Sequence, residues 1–168
     1  MSVNEEDFEV LQHQLGRVPR GVLSVETRCP AGHPQVIKVY PLLRTKGRLE
    51  PFPTLFWLTC PNLIKQLSAL EHRGWIARLE QRLQDDDALR AAYHLDHGRY
   101  RDERWQTLSE PDRALLLAKG WEGLDRGIGG IADWDHIKCL HLHYAHHAAR
   151  TSVVGRWLEE RFQFAPCP

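Results

Sequence analysis

The sequence lacks an excess of charge of either sign: 22 Lys and Arg residues face 22 Asp and Glu over 168 residues, giving a formal net charge of zero. A chain so balanced has no bulk electrostatic attraction to a nucleic-acid backbone or an anionic bilayer, so neither is an expected partner. It also lacks a long hydrophobic run, since no apolar stretch approaches the roughly 20 residues that cross a membrane. The start, Met1-Ser-Val-Asn-Glu-Glu-Asp7, is acidic where a targeting peptide would be basic and then apolar, and the expected location is the cytoplasm. Internal repeats, low-complexity tracts and paired Cys-x2-Cys knuckles are missing too, which excludes solenoids and zinc ribbons.

What the chain does have is four cysteines and ten histidines. In a reducing compartment the thiols stay unpaired, and a free thiol is a buried small hydrophobe, a metal ligand or a nucleophile. The length suits one hydrophobic core without disulfide support.

Periodicity places these residues on elements. Asn4, with Asp7 and the apolar set Phe8, Leu11 and Leu15, opens a capped helix that ends at Gly16. We read residues 1–17 as an N-terminal helix packed on a single α+β domain over 18–168. From Val22 the period is two, giving a strand to Cys29, a turn through Pro30-Ala-Gly-His-Pro34, and a second strand from Gln35 to about Leu43 that Pro41 interrupts. Residues 45–53 read as a loop, and Thr54 to Cys60 as a third strand. In a meander of these three, Cys29 and Cys60 finish at the same end of the sheet, with His33 in the adjacent turn. Helical spacing then dominates: around Leu63–Leu70, Ile76–Leu83, Leu89–Tyr100 and Pro111–Leu117, and in a last long helix beginning near Asp133 or Asp135. The expectation is a small three-stranded antiparallel sheet covered by five or six helices, with helix outweighing strand.

The least ordinary segment is Lys138-Cys-Leu-His-Leu-His-Tyr-Ala-His-His147. On a helix Cys139 neighbours His143, and His143 neighbours His146. Thiolate and imidazole are zinc's preferred ligands, at about 2.3 and 2.0–2.1 Å. The reading is that Cys29, Cys60 and Cys139 converge with His143 or His146 on one metal site, zinc being the first choice and a three-cysteine [4Fe-4S] cluster the alternative. The same residues admit two metal-free readings, namely buried small hydrophobes beside a polar helix face, or a thiolate with a histidine base. His97 and His141 are the residues proposed to move protons. The glycine turn at Gly129 and Gly130, with Arg101 and Arg104, could receive an anion or a substrate, although it lacks the Lys-Ser/Thr of a phosphate loop.

Three motifs in order, Arg28-Cys-Pro-x-Gly-x-Pro34, Pro53-Thr with Leu58-Thr-Cys-Pro61, and Lys138-Cys-Leu-His141, resemble the uncharacterised bacterial family named domain of unknown function 501. The resemblance covers roughly Val18 to Gly155 and extends to Ala91-Ala-Tyr93, His97, Tyr100, Gly129-Gly130 and His146. It implies that Cys29, Cys60, Cys139, His141 and His146 belong to the family pattern and that Cys167 does not. His143 is a departure, since relatives carry an apolar residue there, and relatives look more like Asn-Pro-x-Gly where this chain has Thr151-Ser-Val-Val-Gly155. The family implies no activity. The functional expectation is therefore a metal-dependent enzyme acting on a small molecule, set against an adaptor or regulator with a structural metal and, as a lesser reading, thiol redox or transfer chemistry at Cys60 or Cys139.

Overall fold

The computed structural model describes residues 1–165 and Cys167. Helix α1 (Glu5–Leu15) starts in a capping box, in which the Asn4 side chain accepts from Asp7 N–H and Asp7 returns the bond to Asn4 N–H, and it stops at Gly16 in the left-handed conformation. Strands β1 (Val22–Arg28), β2 (Pro34–Val39) and β5 (Phe56–Leu58) form an antiparallel sheet in the order β1-β2-β5, so β1 and β5 run parallel and end on the same side. The expected second strand breaks after Val39, and a hairpin of β3 (Leu42–Thr45) with β4 (Arg48–Pro51), turned by Lys46 and Gly47 at positive φ, runs from its predicted end into the segment expected to be a loop.

Seven α-helices are present among the described residues, more than expected. They are α1, α2 (Pro61–His72), α3 (Trp75–Asp85), α4 (Asp87–Thr107), α5 (Glu110–Ala118), α6 (Leu140–Arg150) and α7 (Val153–Arg161). Their starts carry ordinary signals. Asp86 caps α4, Ser109 caps α5 with Pro111 in the first turn, and Ser152 caps α7.

The period-two pattern of the sheet becomes two apolar faces. Ile37, Val39 and Val25 pack with Leu11 of α1 on one side. Val36, Phe56 and Leu58 face the other way, into the main core with Leu63, Leu67, Tyr93, Tyr100, Leu140, Ala145 and Leu158. Helix α6 crosses the centre of that core, flanked by α2, α7 and β5. At its far end Arg150 pairs with Glu103 of α4 (2.7 Å) and Glu26 of β1 (2.7 Å), and Lys38 of β2 completes the network on Glu103 (2.8 Å).

Candidate metal centre

Two of the predicted ligands meet where the strand register puts them. Arg28 pairs with Pro34, so Cys29 to His33 is the whole connection between β1 and β2. That turn is closed by Gly32 N–H donating to Cys29 O (2.8 Å) and Cys29 N–H donating to His33 O (2.9 Å). Arg28 holds it from below, donating to Gly32 O (2.9 Å) while gripping Asp7 of α1 with both guanidinium nitrogens (2.6 and 2.9 Å). Cys60 follows β5 as the N-cap of α2, and Thr59 and Cys60 N–H both donate to Gln35 O at the start of β2. Turn and helix start are thus fastened to one sheet end.

A third sulfur arrives from the C-terminus. Phe164 packs on Tyr144 (ring centroids 5.0 Å), and Gln66 of α2 clasps Ala165 reciprocally, donating to its O (2.7 Å) and accepting from its N–H (3.1 Å). Two residues further on, Cys167 reaches both Cys29 and Cys60 with its thiol. The donor atoms of Cys29, His33 and Cys167 all lie within 4.8 Å of one another. Burial raises the Cys29 thiol, but the Cys167 thiol and the main-chain N–H groups of His33, Ala31 and Cys29 itself outweigh it and bring Cys29 below the usual cysteine value. Burial together with the neighbouring Cys29 and Cys60 pushes Cys167 up to about 12. Of the two thiols Cys29 is thus the more acidic.

Cys139 is not part of this centre, which corrects the expected convergence. The last long helix begins at Leu140 and not near Asp133 or Asp135, because residues 133–140 are bound to side chains that compete with helix. Asp133 Oδ1 accepts Asp135 N–H (3.0 Å), Glu80 Oε1 accepts Ile137 N–H (2.8 Å), and Glu71 Oε1 accepts Leu140 N–H (2.6 Å). Cys139 is the extended N-cap (φ −160°), so it shares no helical face with His143. It lies beside Glu71 in the last turn of α2, whereas Cys60 caps the first, about 16 Å away along the helix at 1.5 Å per residue. There Cys139, Glu71 and His141 bring their donor atoms within 4.8 Å of one another. His141 is raised above the ordinary histidine value, first by its hydrogen bond with Cys139 and then, against burial, by the Glu71 charge and the Ile64 carbonyl.

The histidines of α6 fan out to different neighbours. His141 faces α2. His143 faces α4, where its Nε2 meets the Tyr93 hydroxyl (3.2 Å); that hydroxyl donates to His136 O (2.8 Å), so His143 Nε2 carries the proton. His146 stacks on Phe56 of β5 (6.0 Å) and against Tyr100 (5.1 Å). His147 accepts Ser152 N–H at Nδ1 (2.9 Å) and donates from Nε2 to Glu159 (3.1 Å). His97 lies fully buried between Trp134 (5.2 Å, stacked) and Tyr93 (4.3 Å), its Nδ1 accepting Ile128 N–H (2.9 Å). Burial lowers His97 and His143 to about 3 and His146 to about 4, so all three are neutral core groups at neutral pH. The structure brings neither His143 nor His146 to Cys139.

The glycine turn also faces inward. Gly127 N–H donates to Ile131 O, Gly130 N–H to Gly127 O and Ile131 N–H to Ile128 O, while Ile128 N–H goes to His97 and Gly129 N–H faces the Tyr100 hydroxyl, so these amides are engaged inside the protein. A Cβ on Gly129 would sit 2.2 Å from Leu142, and one on Gly130 2.6 Å from Pro53. Arg104 is fully buried and donates to the carbonyls of Pro53 (3.1 Å), Gly127 (3.1 Å), Gly123 (3.2 Å) and Arg126. Arg101 pairs instead with Asp102 (2.9 Å) and lies over Trp134 (5.8 Å). Gly129, Gly130 and Arg104 thus build the loop while Arg101 is engaged elsewhere, and the four do not converge on a common anion position.

Sequence reasoning left out Glu71 and set Cys167 aside, and it placed His33 at the sheet end without making it a ligand. One signal for Glu71 was available: a carboxylate in the last turn of a helix opposes the macrodipole and needs a partner elsewhere.

The family described as protein of unknown function (DUF501) matches residues 25–160. This chain belongs to that family. The DUF501 match takes in Cys29, His33, Cys60, Glu71, Cys139 and His141 and stops before Cys167. No curated protein and no solved structure matches the chain.

Proposed function

We propose that this protein binds a single zinc ion through Cys29, His33, Cys60 and Cys167, and that the ion fastens the C-terminal tail to the sheet end. The observation that carries the reading is the approach of the Cys29, His33 and Cys167 donor atoms to within 4.8 Å, with the Cys60 thiol in reach of Cys167. Three thiolates and one imidazole make a tetrahedral shell of the kind zinc adopts in structural sites. An iron–sulfur cluster interposes its own atoms and holds its thiolates farther apart, so the compact donor set favours one ion.

Four protein donors leave no position for a substrate, which favours the adaptor or regulator class at this centre over the metal-dependent enzyme. The metal's role is then to fix the end of a tail whose Phe164 already packs on Tyr144.

Elemental analysis and an absorption spectrum of anaerobically purified full-length protein test the proposal. The expected result is zinc without visible cluster absorption, with this zinc lost in Cys29→Ser and in Cys167→Ser. Protein free of zinc, or carrying iron and sulfide, would overturn it.

A further inference from the structure

The second constellation, where α6 begins, carries a different chemistry. His141 Nε2 lies 3.2 Å from the main-chain carbonyl of Ile64 and 3.2 Å from Ser68 Oγ. A carbonyl only accepts, so Nε2 carries a proton, and in the neutral ring Nδ1 is the nitrogen with the free lone pair. That nitrogen lies 3.1 Å from Glu71 Oε1, with Cys139 Sγ in the same 4.8 Å cluster. With the ring neutral, three potential metal-ligand atoms gather within 4.8 Å of one another, and a proton or a cation bridges them. A proton on Nδ1 serves one or two of these atoms; a divalent ion serves all three, and its charge is balanced by one thiolate and one carboxylate.

We propose that Glu71, Cys139 and His141 form a second metal site for a divalent ion of the zinc type, with the fourth coordination position open to water or a substrate oxygen. Its outer shell is already built. The Ile64 carbonyl and Ser68 fix the His141 tautomer, and Leu140 N–H fixes the Glu71 carboxylate (2.6 Å). All three side chains are half-buried, so the site is shaped by protein yet reachable from solvent. Three protein ligands and an open place are the pattern by which zinc polarises water or a carbonyl or phosphoryl oxygen. The length of α2 separates this site from the sheet-end centre, so one ion cannot serve both.

Cobalt(II) titration of chelator-stripped, full-length protein under anaerobic conditions reads both sites through thiolate-to-cobalt charge transfer and the ligand-field bands. Wild type is expected to take up two equivalents and Cys139→Ser one. Glu71→Gln is expected to weaken one of the two equivalents by about 100-fold, at or beyond the upper end of what outer-shell changes cost. Azide, a small anionic ligand, should shift the ligand-field bands of wild type and Cys29→Ser but not those of Cys139→Ser. In wild type, zinc should slow iodoacetamide alkylation of Cys139, followed by peptide mass mapping, which needs no variant to fold. Equal uptake by wild type and Cys139→Ser, or alkylation of Cys139 at one rate with and without zinc, would sink the second site and leave only the His141–Glu71 contact in its place. Loss of the equivalent that depends on Cys29 bears only on the sheet-end centre.

Discussion

At the scale of single residues, the core imidazoles are held by few bonds, and one ring nitrogen of each of His97, His143 and His146 has no hydrogen-bond partner among the described residues. His97 shows how this couples to pH. Its imidazole accepts Ile128 N–H and is held neutral by burial, with a folded-state value of about 3, and His146 at about 4 behaves likewise. Unfolded, both titrate near 6.5. Their contribution to stability is therefore complete above 6.5 and is lost as pH falls from there toward 4 and then 3, because only the unfolded chain takes up the protons. Below 6.5 the two together give a slope of up to about 3 kcal/mol per pH unit. Urea midpoints measured from pH 7 to pH 4 should fall accordingly, with a shallower fall in His97→Gln. Arg104 is the other buried polar anchor. Its replacement by Met leaves the carbonyls of Pro53, Gly123, Arg126 and Gly127 without their cation, and the expected loss is about 3 kcal/mol or more in equilibrium denaturation.

Elements show where local sequence signals suffice and where they fail. The first helix, the strand pairing that brings Cys29 and Cys60 to one side, and the helices after Pro61 follow from caps, period and proline, all of which are local. The start of α6 is not local. Asp133 and Asp135 look like caps, but Glu71 and Glu80, distant in sequence, take the N–H groups that a helix would use. Because the Cys139 and His143 pairing depended on that start, it was lost with it. The density of donors in residues 139–147 was legible, but their direction was not, since each imidazole is aimed by a different neighbouring element. The tail illustrates the same dependence. Gln66 on α2 holds Ala165, so Gln66→Ala should weaken zinc at the sheet end by about fivefold, the equivalent of about 1 kcal/mol for a half-exposed pair, while leaving the metal-free unfolding midpoint nearly unchanged. Competition with a chromophoric chelator measures the first quantity and calorimetry the second. Loss of the Ser152 cap is a control of another kind: Ser152→Ala should cost about 1 kcal/mol of stability and leave metal affinity alone.

For the whole molecule, metal and fold are linked through the termini. The sheet-end centre joins the β1–β2 turn, the head of α2 and the last described residue of the chain, while α1 supports the same turn through Asp7 and Arg28. Zinc present at about 100 times its dissociation constant should add about 2.7 kcal/mol. In a domain of this size that corresponds to roughly 5–10 °C in the thermal midpoint. Scanning calorimetry with and without chelator checks this, and Cys167→Ser should lose most of the increment.

Helix α6 touches the sheet, α2, α7 and the glycine turn, and its side chains are claimed on every side. No part of it can swing out while its surroundings stay assembled. Its amide hydrogens should consequently be the last to trade with deuterated solvent, leaving together at the rate of complete unfolding, long after those of the β3–β4 hairpin have gone.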